Sequence, residues 1–178
     1  GLRTICDREG AVLIFDEVSS GFRFGMQGAQ GFVGVTPDMA VFAKSMSNGY
    51  PMGAVVGRRS VMEPAARMFI SSTYWSDPIG MVASLTTIRE LRRRNISESL
   101  WAFGRELQSR LDAVAKETGL DVKCSGLAVH PHLEFASASP DQRPVLATLF
   151  IQEMAKRGCH GYASFYLNAA QGTAEVEQ

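Results

Sequence analysis

Two polar residues of the chain each follow a short apolar run directly. Asp16 comes after Ala11–Phe15, and Lys44 comes after Met39–Ala43. An amine that a strand end withdraws from water is a competent nucleophile toward carbonyl groups. A carboxylate opposite that amine can keep a pyridine nitrogen protonated, which turns a pyridine ring into an electron sink. The two residues therefore predict imine chemistry on a pyridine-type cofactor.

Both apolar runs are short and continuous, which is typical of strands buried on both faces of a parallel sheet. Gly53–Gly57 indicates a third strand. Ligands collect at the carboxyl ends of strands in an open α/β sheet, so Asp16 and Lys44 would converge on one crevice if their strands are neighbours. The alternative is that Lys44 is a solvated surface charge and that Asp16 only forms a turn.

The pattern around these strands predicts the other elements of the first half. Leu2, Ile5 and Cys6 form one apolar stripe of a helix, and the glycine-rich residues 19–37 are expected to form a long loop. Ser60 is expected to cap a helix through about Ala66, with Glu63 completing a capping box. From Pro78 the apolar spacing predicts two helices that meet near residues 95–97.

After Gly119 the pattern changes to that of a second, smaller α+β unit. It predicts strands within residues 121–137, a helix at Gln142–Arg157 closed by Gly158, and a strand at Ser164–Leu167. The predicted fold class is therefore α/β. We expect a mainly parallel sheet in residues 1–95 and a smaller α+β part in residues 96–178.

Composition narrows the classes of partner. Lys plus Arg equal Asp plus Glu at 18 each, so no net field favours nucleic acid or an anionic membrane. The three cysteines are far apart, which suits neither a disulfide framework nor a zinc site and favours a cytoplasmic protein. No apolar run reaches membrane-spanning length. Because Gly1 is not an initiator methionine, we expect the gene product to extend N-terminally of it.

Two other clusters could carry chemistry, and both have simpler explanations. His130, His132 and Glu134 alternate, which is compatible with a metal site, but a half-buried strand with a polar outer face explains them, and we predict no metal. The arginines near residues 89–94 lie at a helix C-terminus, where the helix dipole favours cations. The glycines at 25, 28 and 31 are no dinucleotide fingerprint, because no helical pattern directly follows them.

Several motifs occur together and in order around the two strand ends. They are Leu13-Ile-Phe-Asp-Glu-Val18, Gly21-Phe-Arg23, Gly28-Ala-Gln-Gly31, Gly34-Val-Thr-Pro-Asp38, Ala43-Lys-Ser45 and Gly49-Tyr-Pro-Met-Gly53. With the interval from Asp16 to Lys44 (44 − 16 = 28), they resemble the core of class III aminotransferases, which depend on pyridoxal 5'-phosphate (PLP). Ile70-Ser-Ser-Thr-Tyr-Trp75 is similar to the glutamate-1-semialdehyde aminomutase-like branch of that family. The resemblance is strong to about residue 94 and looser beyond it.

The resemblance implies a role for four residues. Lys44 would form the Schiff base with PLP, and Asp16 would hold the pyridine nitrogen. Val18 would pack against the cofactor ring, although a core valine is the simpler alternative. Thr73 would reach the cofactor phosphate of a neighbouring subunit, which implies a homodimer with shared active sites; otherwise it is a loop threonine.

The implied activity is transfer of an amino group from an amino donor to a keto or aldehyde acceptor, with Lys44 moving the proton. Two alternatives stay open: intramolecular transfer of the aminomutase type, and a non-catalytic interaction module without cofactor. The stretch Ser45-Met-Ser-Asn-Gly49 replaces the glycine-rich stretch usual in the aminomutases. The implied family also has a phosphate-binding turn and a ring-stacking aromatic before the Asp16 strand, so we expect residues 1–178 alone to be inactive. For a substrate carboxylate, Arg23, Arg58 and Arg143 are the available cations.

Overall fold

The structure is a computed structural model that describes residues 1–177. The chain divides into two compact units, Gly1–Ser97 and a second unit that starts at Glu98. The resemblance implies that residues 1–95 are the C-terminal half of a PLP-binding large domain and that residues 96–178 are an incomplete small C-terminal domain, and this assignment stays a prediction. Among the described residues, no helix combines the length and the apolarity needed to cross a bilayer.

The first unit begins with helix α1, Leu2–Glu9, as the apolar stripe predicted. Its sheet contains β1 (Ile14–Asp16), β2 (Met39–Phe42) and β3 (Ala54–Gly57), in the order β1-β2-β3. Strands β1 and β2 are parallel, with Ile14 opposite Met39 and Asp16 opposite Val41. The two strands are therefore neighbours, as convergence of their carboxyl ends requires.

The sheet is mixed, so the expectation of a mainly parallel sheet holds only for the β1–β2 pair. Strand β3 is antiparallel to β2, with Met39 opposite Gly57 and Phe42 opposite Ala54. Only residues 43–53 connect these two strands. A parallel return needs about a dozen or more residues, usually with a helix, whereas a shorter link brings the chain back antiparallel.

Two details between the strands differ from the sequence-based expectation. The predicted loop at residues 19–37 contains a short helix, α2 (Gly28–Val33). The predicted capping box is wrong, because helix α3 spans only Arg59–Met62 and no side chain caps it. Glu63 already belongs to the 3-10 turn Glu63–Arg67, and Pro64 lacks the N–H that a continuing α-helix would need.

Two long helices follow, in agreement with the apolar spacing. Helix α4 spans Pro78–Arg93. Asp77 caps its N-terminus, because its carboxylate accepts a hydrogen bond from the backbone N–H of Ile79 at 2.9 Å. Helix α5 spans Ile96–Thr118. Between them Asn95 has a left-handed backbone with φ of 51°. In the arginine cluster, Arg93 pairs with Glu90 at 2.7 Å, as expected of a solvated helix end.

The second unit contains a hairpin and two further helices. Strands β4 (Val122–Leu127) and β5 (His130–Phe135) pair antiparallel, and helices α6 (Gln142–Lys156) and α7 (Thr173–Glu177) follow. The strand predicted at Ser164–Leu167 reduces to one isolated bridge between Ser164 and His132. The backbone N–H of Leu133 donates to the Ala163 carbonyl at 2.7 Å and that of Phe165 donates to the Pro131 carbonyl at 2.9 Å, and the pairing does not extend beyond this bridge.

Close packing of α5 on the hairpin explains the buried residues of this unit. A Cβ atom on Gly104 would lie 1.7 Å from the carbonyl oxygen of Ala128, so only glycine allows this approach. Val129, Leu167 and Cys124 are buried nearby. Burial, together with the charge of Asp112, raises the pKa of the Cys124 thiol to about 11, which keeps this thiol protonated and unreactive.

Candidate functional site

The parallel pairing of β1 and β2 brings the two predicted chemical residues to one edge of the sheet. Asp16 is the last residue of β1 and lies opposite Val41. Lys44 follows β2, three residues farther along the same direction from Val41 (44 − 41 = 3). Their side chains therefore leave neighbouring strands at the same carboxyl end, where α/β sheets collect ligands.

Lys44 starts a tight turn with an unusual backbone. Its φ of 45° lies in the left-handed region, which costs a residue with a side chain about 1–2 kcal/mol. The Lys44 carbonyl accepts hydrogen bonds from the backbone N–H groups of Ser47 at 3.2 Å and Asn48 at 3.1 Å. Backbones of this kind persist where the surroundings hold them, and they cluster at functional sites.

The amine of Lys44 lies outward, where a ligand can reach it. Its Nζ donates a hydrogen bond to Ser19 Oγ at 2.5 Å, and within residues 1–177 it forms no ion pair. The side chain is exposed. The expectation that the strand end withdraws this amine from water is therefore not met by the residues of this chain.

Asp16 is also exposed and has one oxygen engaged. Its Oδ1 accepts a hydrogen bond from the backbone N–H of Val18 at 3.0 Å, which closes a local turn. The other carboxylate oxygen, Oδ2, has no hydrogen-bond partner among the described residues. This carboxylate is thus oriented by its own backbone and still able to accept a proton donor from a ligand.

Glu17 anchors the loop that follows this strand. Its side chain is 1% exposed, and its two oxygens accept hydrogen bonds from Ser20 Oγ at 2.8 Å and from the backbone N–H of Ala29 at 2.6 Å. Gly28 has a φ of 66°, and a Cβ atom there would lie 2.5 Å from Glu17 Oε1. The buried carboxylate therefore joins the start of α2 to the end of β1.

The other two predicted site residues, Val18 and Thr73, lie at different places in the structure. Val18 is half-buried beside Asp16. Thr73 is exposed in the segment before α4, and no hydrogen bond joins it to Asp16, Val18 or Lys44 in the described part of the chain. The same segment exposes large apolar side chains, and Phe69 is 96% exposed. The parallel pairing thus places the strand ends that carry Asp16 and Lys44 at one edge of the sheet, with Val18 hydrogen-bonded to Asp16, and the role of all four residues at a cofactor stays a prediction.

The three arginines considered for a substrate carboxylate all have protein partners. Arg58 pairs with the buried Asp38 at 2.5 Å. The Nε of Arg23 donates to the carbonyl of Ser19 at 3.0 Å, and that of Arg143 donates to the carbonyl of Ala138 at 3.2 Å. Of these, only Arg23 contacts a residue that touches Lys44.

Of the two histidines on β5, His132 belongs to a surface polar cluster and His130 packs against an aromatic ring. His132 Nε2 lies 3.2 Å from Glu134 Oε1 and 3.3 Å from Ser125 Oγ, while the His130 ring packs against Tyr166 with centroids 4.2 Å apart. Hydrogen bonds from Ser125 and then from His132 lower the pKa of Glu134. The described residues contain no group of three or more His, Cys, Asp or Glu side chains arranged to hold a metal ion.

A mostly apolar cleft of about 460 Å³ lies between the turn after Lys44 and one face of α4. Ser47, Asn48 and Tyr50 line one wall, and Ile79 and Val82 belong to the other. Its lining includes no carboxylate, amine or thiol and excludes both Asp16 and Lys44. The cleft therefore offers packing surface and no group for acid–base chemistry near neutral pH.

The Asp16–Lys44 edge carries the two types of group that a cofactor such as PLP needs. PLP needs an amine that can bond to its aldehyde carbon and a carboxylate for its pyridine nitrogen. Both groups are present and exposed, and neither forms an ion pair among the described residues. Sequence reasoning missed Glu17, Ser19 and Gly28, although a second acidic residue after an apolar run and a glycine beyond it were visible signals.

Comparison with known proteins identifies the family to which the sequence is similar. The sequence profile of a family described as "Aminotransferase class-III" matches residues 1–159. A 3-aminobutyryl-CoA aminotransferase from Cloacimonas acidaminovorans is 33% identical over 92% of this chain and 41% of its own length. A glutamate-1-semialdehyde 2,1-aminomutase from Syntrophobacter fumaroxidans is 34% identical over 99% of this chain and 44% of its own length.

Solved structures give the same result. The chain superposes on a structure described as the PLP internal aldimine form of the Sphingopyxis sp. MTA144 FumI protein with a TM-score of 0.87. The sequences are 31% identical, and the match covers 98% of this chain and 42% of that one. The chain thus spans less than half of the length of these relatives.

Proposed function

Because the chain belongs to the class III aminotransferase family, we propose that it supplies the cofactor lysine of a PLP-dependent aminotransferase. The proposed enzyme moves an amino group between an amino donor and a keto or aldehyde acceptor. One observation carries the proposal: parallel pairing of β1 with β2 brings an exposed amine and an exposed carboxylate to the same sheet edge. Neither group is consumed by an ion pair among the described residues.

Each side chain has a stated task in this proposal. Lys44 would hold the cofactor through Nζ, and its free amine would take and return a proton at the substrate carbon. Asp16 would accept a hydrogen bond from the pyridine nitrogen, and Oδ2 is available for it because Oδ1 already accepts from the N–H of Val18. The cofactor, when bound, supplies an electron sink for the bonds broken at that carbon.

Two further residues enter only through the family. Val18 would press its apolar side chain against the cofactor ring. Thr73 would bind the cofactor phosphate of a second subunit with its hydroxyl and backbone N–H, so the active protein would be a homodimer. The exposed apolar side chains around Thr73 are consistent with a surface that a second subunit covers.

Intramolecular amino transfer is the second candidate, supported by the 34% identical aminomutase relative. The aminotransferase relative is 33% identical, so identity does not separate the two. The deciding experiment is to offer glutamate-1-semialdehyde alone, and separately an amino donor labelled with ¹⁵N together with a keto acid. Isomerisation without an added acceptor supports the aminomutase, and transfer of the label between molecules supports the aminotransferase.

The first prediction is that PLP bonds to Lys44 in the protein that carries this chain. Borohydride reduction followed by peptide mass spectrometry should find the pyridoxyl group on Lys44, and Lys44→Ala should abolish the visible absorbance of the bound cofactor. Lys116→Ala, an exposed lysine of α5, is the control and should keep that absorbance. A pyridoxyl group on another lysine would remove Lys44 from the role, and none on any lysine would support a non-catalytic module.

A further inference from the structure

Among the described residues, the Lys44 amine forms a side-chain hydrogen bond only with Ser19. Its Oγ accepts the hydrogen bond from Nζ at 2.5 Å, although the two residues are separated by 25 positions. Lysine carries a flexible four-carbon chain, and holding its amine in one place costs considerable conformational entropy. A fixed acceptor next to the sheet edge reduces the number of positions that the amine samples.

The segment that contains Ser19 is held from two sides. On one side, the buried Glu17 carboxylate accepts from Ser20 Oγ at 2.8 Å, and the Glu17 carbonyl accepts from the N–H of Gly21 at 2.8 Å. On the other side, Ser45 Oγ donates to the carbonyl of Gly21 at 2.9 Å. The segment 17–21 is thus tied both to the end of β1 and to the turn that carries Lys44.

Gly21 makes this double attachment possible. A Cβ atom at this position would lie 2.7 Å from the carbonyl oxygen of Glu17 and 2.8 Å from the ring of Phe42. The backbone therefore approaches β2 more closely than any side chain would allow. This close approach brings the segment that carries the Ser19 hydroxyl within reach of the turn after β2.

The Ser19 hydroxyl has no structural bond of its own to lose. Ser19 is exposed, and among the described contacts its side chain bonds only to Lys44. Its backbone carbonyl, which accepts from Arg23 Nε at 3.0 Å, would survive a change of side chain. A substitution at Ser19 therefore tests its effect on the amine with little effect on the fold.

We propose that Ser19 is a positioning residue for Lys44: its hydroxyl holds the amine at the carboxyl edge of the β1–β2 pair, so that the amine is ready to bond to the cofactor, and it recaptures the amine when the substrate replaces it. The inference rests on the proposed function of Lys44. The contact itself belongs to this chain, so part of its test needs no cofactor.

The test uses a pair of side chains of equal shape, Ser19→Thr and Ser19→Val, together with Ser19→Ala. In the cofactor-free protein, brief acetylation with acetic anhydride is followed by mass spectrometry of the Lys44 and Lys116 peptides. Loss of the hydroxyl should raise labelling of Lys44 relative to Lys116 by about two- to tenfold, the range expected for one hydrogen bond. The threonine variant should match the parent protein, and Ser60→Ala, an exposed serine of α3, should change nothing.

The second readout is the rate at which visible absorbance develops when PLP is added. It should fall by about two- to tenfold in the valine and alanine variants and recover in the threonine variant. Loss of the hydroxyl should thus raise the rate of Lys44 acetylation and lower the rate of PLP association. General loosening of the protein would change both rates in the same direction. The valine–threonine comparison stands even where the alanine variant fails to fold.

The outcomes separate the two proposals. Equal Lys44 labelling and equal PLP association in the threonine and valine variants would overturn the role of Ser19. A hydroxyl-dependent change in labelling without any pyridoxyl group on Lys44 would keep the contact and reject the proposed function. A pyridoxyl group on Lys44, with labelling and PLP association that do not depend on the Ser19 hydroxyl, would support the proposed function and reject the role of Ser19.

Discussion

An aspartate lies at each end of the parallel pair β1–β2, and the two aspartates have different surroundings. At the amino ends of β1 and β2, the Asp38 side chain is 3% exposed and fully bonded. It accepts the N–H of Leu13 at 2.8 Å and pairs with Arg3 at 2.9 Å and Arg58 at 2.5 Å. At the carboxyl ends, Asp16 is exposed and accepts one backbone N–H.

This contrast separates a carboxylate that holds the fold from one that can act on a ligand. The hydrogen bond from Leu13, followed by that from Arg3, lowers the pKa of Asp38, so this group stays ionised and satisfied. Asp38 joins α1, β1 and the residue after β3, and it has no bonding capacity directed at a ligand. Asp16 contributes little to packing and keeps one oxygen available, which is what a cofactor-binding carboxylate requires.

The largest expected effect is on catalysis at the carboxyl end. Asp16→Asn should reduce turnover by on the order of a hundredfold or more, because an amide cannot stabilise the charge that develops on the pyridine ring. Thermal unfolding should change little, because Asp16 is exposed. The measurements are steady-state kinetics and the melting temperature of the protein that carries this chain.

Asp38→Asn is the matched control for that experiment, with the same chemical change at the opposite end of the sheet. Its turnover at a temperature where it remains folded should stay close to that of the parent protein. Near-normal turnover in Asp16→Asn would remove Asp16 from the mechanism. A rate loss of similar size in both variants would show that the two ends are not functionally separate.

The next effect is on stability at the amino end. Asp38→Asn leaves Arg3 and Arg58 without their shared anion, so we expect the melting temperature to fall by on the order of 5 °C. The pKa of Asp38 in the folded chain lies below its ordinary value of 3.8. A group whose pKa is lowered by folding contributes stability above the unfolded value, and this contribution is lost as the pH falls through the folded value.

The pH dependence of unfolding therefore gives a second measurement on the same variant. Urea midpoints at about pH 7 and about pH 3 should show the parent protein losing more stability on acidification than Asp38→Asn. The difference between the two proteins should narrow as Asp38 becomes protonated. A difference that stays constant across this range would mean that the charge of Asp38 is not what stabilises this end.

The smallest expected effect concerns the Glu17 anchor near the carboxyl end. Gly28 and Gly34 both have a φ of 66°, but a Cβ atom at Gly34 meets nothing within 4 Å. Gly34→Ala should therefore cost only the left-handed backbone strain, about 1 kcal/mol. Gly28→Ala should cost more, because its Cβ would lie 2.5 Å from the buried carboxylate of Glu17.

Denaturant unfolding of the two alanine variants measures this difference directly. Gly28→Ala should also slow PLP association, because Glu17 holds the segment that carries Ser19. Gly34→Ala should leave that rate unchanged. Equal unfolding midpoints for the two variants would indicate that Glu17 moves aside easily and does not anchor the loop.

The sequence by itself determined most of the local elements and indicated which residues are candidates for the chemistry. The apolar runs before Asp16 and Lys44 identified β1 and β2, and the three- and four-residue spacing identified α4 and α5. These patterns can be read because a strand or a helix records in its own residues which side chains face the core. The motifs also resembled the class III aminotransferases, to which the chain belongs.

The tertiary structure alone decided which groups meet. It set the antiparallel direction of β3, placed α2 inside the predicted loop, and reduced the expected strand at Ser164 to a bridge. It also joined Arg3 to Asp38 and Lys44 to Ser19, pairs that are 35 and 25 residues apart. No local pattern encodes such partners, because they depend on how distant segments close onto one sheet; the same closure made one aspartate a structural anion and left the other exposed to a ligand.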